Sequence, residues 1–162
     1  MVSLLVSVGV PACRLVSRAS IQTSLDGEPM LFGQEHVDRY RETDGEEGHD
    51  WQGTVTLLLT TKGRKSGNER TTPLIYGRSG DDYMVVASKG GAEDPPAWFL
   101  NLEADPTVEL QVRADRFRAR ARTATAEEKP EMWKQMVSQW PEYDEYQEKT
   151  GREIPVVVLK RE

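Results

Sequence analysis

Four stretches of the chain concentrate residue types that can hold or transform a ligand. In the first, Lys62-Gly63-Arg64-Lys65-Ser66-Gly67-Asn68-Glu69-Arg70, four cations face one acid in a chain whose formal net charge is −6. Two glycines and Ser66 let the backbone approach an anion, so that N–H groups join the cations around a phosphate. The spacing is not that of a Walker loop, which needs lysine directly after its second glycine. A solvated hairpin tip is the plainer alternative. The second stretch is Ala87-Ser88-Lys89-Gly90-Gly91. Its glycines permit positive φ and expose N–H groups to a flat ring or a phosphate, or simply make a turn. In the third, Pro95-Pro96-Ala97-Trp98-Phe99-Leu100-Asn101, Trp98 and Asn101 stand three apart. On a helix they share a face and can stack on a ring and bond its edge, or serve core and cap. The fourth, Trp140-Pro141-Glu142-Tyr143-Asp144-Glu145-Tyr146, spaces three aromatics by three. They can wall an apolar pocket, with tyrosine hydroxyls donating to an oxygen that gains charge, or they can be core.

Supply limits the remaining chemistry. Cys13 is the one cysteine, which excludes an internal disulfide and a thiolate cluster; His36 and His49 alone furnish a metal site poorly. No Gly-x-Ser-x-Gly elbow is present, and Glu46-Glu47 and Glu127-Glu128 read as surface or helix-start charges. The balance of 21 basic against 27 acidic residues argues against a general nucleic-acid binder. Chemistry here is expected to come from an organic cofactor.

The elements that must position these residues follow from periodicity. At 162 residues with 37% hydrophobic content, the chain suits one soluble domain. Glu35 to Trp51 is polar and reads as a short helix and a loop. Thr54 to Thr61 is a β-branched, apolar run, a strand buried on both faces. Arg70 to Tyr76 is a second strand with Pro73 inside it, hence an edge or a bulge. After the Ser79-Gly80-Asp81 turn, Tyr83 to Ser88 is a third. A helix opens at Pro95-Pro96 and runs to Glu103. Val108, Leu110 and Val112, then Phe117, Ala119 and Ala121, alternate as a half-buried hairpin. Thr125-x-x-Glu128 is a capping box for a helix carrying Trp133, Met136, Val137 and Trp140 on one stripe. Pro141 breaks it, a short helical piece bears Tyr143 and Tyr146, and Ile154 to Leu159 is the last strand. About six strands in antiparallel meanders predict a small barrel with helices outside, not a doubly wound sheet.

Residues 1–29 have a different texture: Met1 to Val16 is mostly Val, Leu, Ser and Ala, with only Arg14 charged. Three readings stay open: Met30 as the biological start, a disordered or membrane-touching extension, or a secretion signal without an A-x-A site. From Met30 onward the sequence reads as one continuous domain.

Taken together, Leu59-Thr60-Thr61-Lys62-Gly63-Arg64-Lys65-Ser66-Gly67, Thr72-Pro73-Leu74, Ala87-Ser88-Lys89-Gly90-Gly91-Ala92 and Trp98-Phe99-Leu100-Asn101-Leu102 resemble the deazaflavin-dependent nitroreductases of actinobacteria, also described as F420H2-dependent quinone reductases. Trp140-Pro141-x-Tyr143-x-x-Tyr146 and Arg152 to Val158 match as well. The resemblance implies a mainly β (α+β) split β-barrel close to that of flavin mononucleotide-binding oxidoreductases. It implies coenzyme F420, an 8-hydroxy-5-deazaflavin with a phosphate and a polyglutamate tail. Arg64, Lys65, Ser66, Arg70, Thr71, Thr72 and Pro73 would hold phosphate and tail. Val86, Ala87, Ser88 and Lys89 would line the ring, with Ala97, Trp98, Phe99, Leu100 and Asn101 completing the site. Ser88, Tyr143 and Tyr146 would act in catalysis, and Ile75, Trp140, Tyr143 and Tyr146 would line the substrate pocket. The chain departs from the nitroimidazole-reducing member at Ile75 and Trp140, where relatives carry tyrosine. The implied reaction is hydride transfer to a quinone-like or nitro-aromatic acceptor, with the two lost hydroxyls favouring quinones. The expected location is the cytoplasm, or the cytoplasmic face of the membrane where a lipophilic quinone is met. The alternatives are a flavin enzyme on the same barrel and a non-enzymatic deazaflavin or lipid carrier.

Overall fold

A computed structural model describes residues 31–162; the readings made for residues 1–29 lie outside the described residues. Helix α1 (Gly33–Glu42) leads into a two-residue strand β1 (Asp50–Trp51), then β2 (Thr54–Lys62), β3 (Glu69–Ser79) and β4 (Asp82–Val86). A single 3-10 turn (Lys89–Gly91) precedes α2 (Ala97–Ala104), the β5 (Thr107–Val112) and β6 (Asp115–Thr123) hairpin, α3 (Lys129–Gln139), α4 (Glu142–Lys149) and β7 (Val156–Arg161). The strands pair antiparallel in the order β1-β2-β3-β4-β7-β6-β5, and β5 returns to β2 through Leu59 opposite Leu110. Six strands therefore close a split barrel, with β1 an added flap.

Continuous apolar runs form strands here because two cores share them. In β7, Val157 and Leu159 enter the barrel interior with Leu57, Leu59, Val85 and Leu110, whereas Val156 and Val158 face an outer core with Met84, Met136 and Ile154 beneath α3 and α4. The period-2 alternation of side chains splits one valine-rich strand between both cores. β2 does the same: Leu58 leaves the barrel to meet Val37 and Tyr40 of α1. At Gly77 an added Cβ would lie 2.7 Å from Met136 Sδ and 2.8 Å from Met84 Cε, so α3 packs against β3 only over a glycine.

β3 is divided along its length. Glu69–Ile75 pair with β2, while Tyr76–Ser79 pair with β4. Pro73 lies in the segment with a strand on one side, where a residue without an N–H is tolerated, as its place in the sequence predicts. This half-open stretch of β3 makes room for a cavity.

The capping box forms as predicted: Glu128 N donates to Thr125 Oγ1 (3.2 Å) and Thr125 N donates to Glu128 Oε2 (3.0 Å). The stripe of α3 ends sooner than its spacing suggests. Trp140 follows the helix with φ −140° and ψ 87°, because Pro141 disfavours helical backbone in the residue before it. Ser88, expected inside a strand, lies two residues beyond β4 and before the 3-10 turn.

Candidate functional site

The half-open side of β3 borders a cavity of about 510 Å³. Thr72, Pro73, Leu74 and Ile75 of β3 form one wall, and Val86, Ser88, Lys89 and Gly90 beyond β4 form a second. Pro96 and Trp98 come from the start of α2; Trp140, Tyr143 and Tyr146 come from the α3–α4 corner. Leu31, Phe32, Gly33, His36, Trp51 and Thr56 supply the remaining wall. Among the residues singled out from the sequence, Thr72, Pro73, Ile75, Val86, Ser88, Lys89, Trp98, Trp140, Tyr143 and Tyr146 thus meet around one space.

Two polar groups stand ready in it. Ser88 and Tyr143 are buried at 9% and 5% exposure, yet neither hydroxyl has a hydrogen-bond partner among the described residues. No fully enclosed side-chain nitrogen or oxygen among those residues lacks a partner, so both hydroxyls open to the cavity. Burial, reinforced by the nearby Tyr146 and Glu142, holds the Tyr143 hydroxyl well above the ordinary tyrosine range. It keeps its proton at neutral pH and can only donate or accept as a phenol. Tyr146 packs edge-on against Tyr143 with ring centroids 6.2 Å apart.

The turn that carries Ser88 and Lys89 is unusual backbone held from behind. Lys89 has φ 46° and Gly90 φ 64°, left-handed values that favour glycine. Gly91 (φ 83°) lies against α4, where a Cβ would stand 2.8 Å from the Tyr146 carbonyl oxygen. Arg152 fixes the turn: its guanidinium donates to the carbonyls of Ala92 (2.9 Å), Ser88 (3.0 Å) and Ala87 (3.2 Å). Gln147 of α4 in turn accepts from Ile154 N and donates to the Arg152 carbonyl. Sequence reasoning gave Arg152 no role, since a side chain that bonds three carbonyls leaves no periodic signature.

The cationic loop is the tip of the β2–β3 hairpin. Arg64, Lys65, Ser66 and Arg70 are exposed there, and among the described residues none of the loop's cations is in an ion pair. Asn101 belongs to this loop rather than to the cavity wall. Buried in α2, its Oδ1 accepts from Arg64 N (3.2 Å) and Arg64 Nη1 (3.1 Å), and its Nδ2 donates to Thr61 Oγ1 (3.3 Å). Thr71 is bonded to Thr60 and receives the Arg41 guanidinium at 2.8 Å, which brings a further cation from α1. Phe99 lies in the barrel core with Leu100 packed against it, Ala87 is core as well, and Ala97 is exposed.

The wall that sequence reasoning missed is aromatic. Phe32, His36 and Trp140 each pack on Trp51, with centroids 5.7, 6.2 and 5.8 Å away. Its one legible signal is the spacing His36, Val37, Tyr40, the buried face of α1.

Comparison with known proteins bears on the family and the fold. A family model described as F420H(2)-dependent quinone reductase matches residues 32–161. An F420H(2)-dependent quinone reductase of Mycobacterium tuberculosis is 43% identical over 127 residues, 75% of this chain and 85% of that protein. A solved F420-H2 dependent reductase, FDR-A, superposes with TM-score 0.60 at 40% identity, over 65% of this chain and 93% of that one. A further solved structure, described as a domain-swapped dimer, has TM-score 0.64 at 38% identity and covers 78% of this chain and 95% of its own.

Proposed function

The chain belongs to the F420H(2)-dependent quinone reductase family, and from that premise we propose that it reduces a quinone-like acceptor in the cavity between β3, the Ser88 turn and α4. Coenzyme F420, when bound, supplies a hydride from carbon 5 of its reduced deazaflavin. The observation that carries the assignment is the pairing of an exposed cationic loop with an apolar, aromatic cavity beside it on β3. Exposed cations without carboxylate partners suit a phosphate and a polyanionic tail, and an apolar, aromatic cavity suits a ring system.

The roles of individual residues follow from chemistry. Arg64, Lys65 and Arg70 attract the phosphate and tail, and Ser66, Thr71 and Thr72 bring hydroxyls to the same strand ends. Asn101 keeps Arg64 in place. Val86, Ala87, Ser88 and Lys89 would offer the ring their backbone, which Arg152 holds through the carbonyls of Ala87, Ser88 and Ala92. Trp98, which lines the cavity, would give the ring an apolar neighbour. On the substrate side, Ile75, Trp140, Tyr143 and Tyr146 shape the slot. Ser88 and Tyr143 donate hydrogen bonds to the quinone oxygen as it gains negative charge, which favours the transition state over the ground state. The high affinity of Tyr143 for its proton makes it a donor that stays a donor. Closing out water raises the worth of each such bond. The quinone would take one hydride from the reduced cofactor and one proton that comes in the end from solvent, and would leave as the quinol, with Ser88 and Tyr143 unchanged.

No helix among the described residues is long and apolar enough to cross a membrane. We place the protein in the cytoplasm, meeting lipophilic quinones at the membrane surface. The test is a fluorescence titration with coenzyme F420, followed by menadione added to the reduced complex. Binding with menadione-dependent oxidation supports the assignment. Binding without oxidation by any quinone would make the protein a carrier, and absence of binding would remove the cofactor assignment.

A further inference from the structure

We propose that His36 determines which acceptors are favoured: its Nδ1 accepts a hydrogen bond from a neutral hydroxyl beside the reducible ring. The inference rests on the quinone-reductase reading of the cavity and concerns the wall built by α1 and β1.

The tautomer follows from the partners. His36 Nε2 lies 2.7 Å from the carbonyl oxygen of Gly48, which can only accept. Nε2 therefore carries the proton, and in the neutral ring Nδ1 bears a lone pair. Nδ1 has no partner among the described residues. Since every fully enclosed side-chain nitrogen there has one, Nδ1 is not sealed in protein. The residue is 2% exposed and lines the cavity, so the surface Nδ1 keeps belongs to the cavity.

The ring is also held still. It stacks on Trp51 at 28° and stands 6.4 Å from the Tyr40 ring. Thr56 Oγ1 donates to the same Gly48 carbonyl at 2.6 Å, fixing the atom that fixes His36. Burial lowers the pKa of the ring, outweighing the Gly48 bond, so that it is neutral at pH 7. A neutral imidazole in this orientation has no proton to give into the cavity; it can only receive one in a hydrogen bond. Leu31, Phe32, Trp51 and Trp140 line the same cavity without a side-chain acceptor, and the nearby Thr56 hydroxyl is committed to the Gly48 carbonyl. The cavity thus carries donors on the Ser88 and Tyr143 wall and an acceptor on the α1 wall. A quinone carbonyl uses the first, and a molecule with an added alcohol uses both. A buried acceptor left unmatched disfavours the analogue that lacks the hydroxyl.

The test compares 2-(hydroxymethyl)-1,4-naphthoquinone with menadione, which differ by one hydroxyl. The ratio of their kcat/KM values in the wild type is expected to be about tenfold higher than in His36→Phe, the size of one such hydrogen bond. His36→Asn, whose amide oxygen stands close to the Nδ1 position, is expected to restore part of the preference. Independently, ¹⁵N NMR of the wild-type imidazole should show Nε2 protonated and the Nδ1 resonance moving on addition of the hydroxymethyl quinone but not of menadione. Equal ratios in wild type and His36→Phe, or a protonated Nδ1, would overturn the proposal. Failure of the wild type to reduce either quinone would instead overturn the reading it rests on.

Discussion

The hairpin tip and the surface around β6 hold cations of the same kinds in opposite circumstances. Around β6, Arg122 makes two bonds to Glu128 (2.7 and 2.9 Å), Arg161 reaches Asp115 (2.7 Å) and Lys129 reaches Glu153 (2.9 Å). At the tip, Lys62, Arg64, Lys65 and Arg70 have no carboxylate partner among the described residues, although Glu69 is adjacent in sequence. Of the 27 carboxylates of this acidic chain, Glu69 alone falls within the stretch Lys62 to Arg70, against four cations. The paired cations around β6 serve the fold and leave little field outside the molecule, although Arg118 and Arg120 of the same strand have no carboxylate partner among the described residues. The tip leaves a local positive potential that only an external anion can answer.

Charge reversal at the tip breaks the contrast most sharply. Lys65→Glu with Arg70→Glu is expected to raise the Kd for coenzyme F420 by about 100-fold, since charged hydrogen bonds to phosphate are each worth about 1.5–3 kcal/mol. The melting temperature should stay within a degree or two, because both residues are exposed. Fluorescence titration and thermal melting decide it; an unchanged Kd would return the loop to an ordinary solvated tip.

Arg152 sharpens the comparison from a third position, a cation spent on carbonyls at the site itself. Arg152→Met removes the bonds to Ala87, Ser88 and Ala92. Both cofactor affinity and menadione kcat should fall, by about tenfold together, with a lower melting temperature. A change in melting temperature alone would confine Arg152 to the fold.

The smallest effect is expected at Glu128. The Arg122 guanidinium, then the Thr125 N–H, hold its carboxyl at about 2 instead of 4.5. A carboxylate whose pKa is lower when folded stabilises the fold above its unfolded pKa and loses that contribution as pH falls. The melting-temperature gap between wild type and Glu128→Gln should therefore be full above about pH 5, narrow from pH 4.5 to 2, and shrink in salt. The Kd for the cofactor should not move.

How much of this was legible in the sequence depends on what kind of signal carried it. Barrel strands announce themselves through period-2 alternation and turn residues, and Pro73 marked the half-open part of β3 by its missing N–H. The capping box at Thr125 and Glu128 was equally local. Trp140 escaped the helical stripe because Pro141 acts on the backbone before it, overriding the side-chain spacing. Asn101 was read as a partner of Trp98, yet it turns to Arg64 and Thr61, a choice made by the packing of α2 on β2. The α1 wall was hidden because His36, Val37 and Tyr40 are three buried residues in a strongly polar segment. Their meaning appears only when Trp51 and Leu58 arrive from elsewhere in the chain.

That modest footing of α1 sets a clock for the molecule. Among the described residues, Val37 and Tyr40 of α1 form with Leu58 a buried cluster of three, against fourteen buried residues in the barrel interior. At about 2 kcal/mol for each buried side chain, the helix can detach at far less cost than the barrel can open. The polar tethers of α1 are also few: Tyr40 donates to the Thr56 carbonyl and accepts from Arg113 N, His36 bonds the Gly48 carbonyl, and Arg41 reaches Thr71. Amide hydrogens of α1 should exchange with solvent well before those of β4 and β7. Each such opening takes His36 and its neighbours off one side of the cavity. The residence time of a bulky acceptor is then expected to follow the breathing of this helix, so that substitutions which loosen α1 speed release while the barrel stays intact.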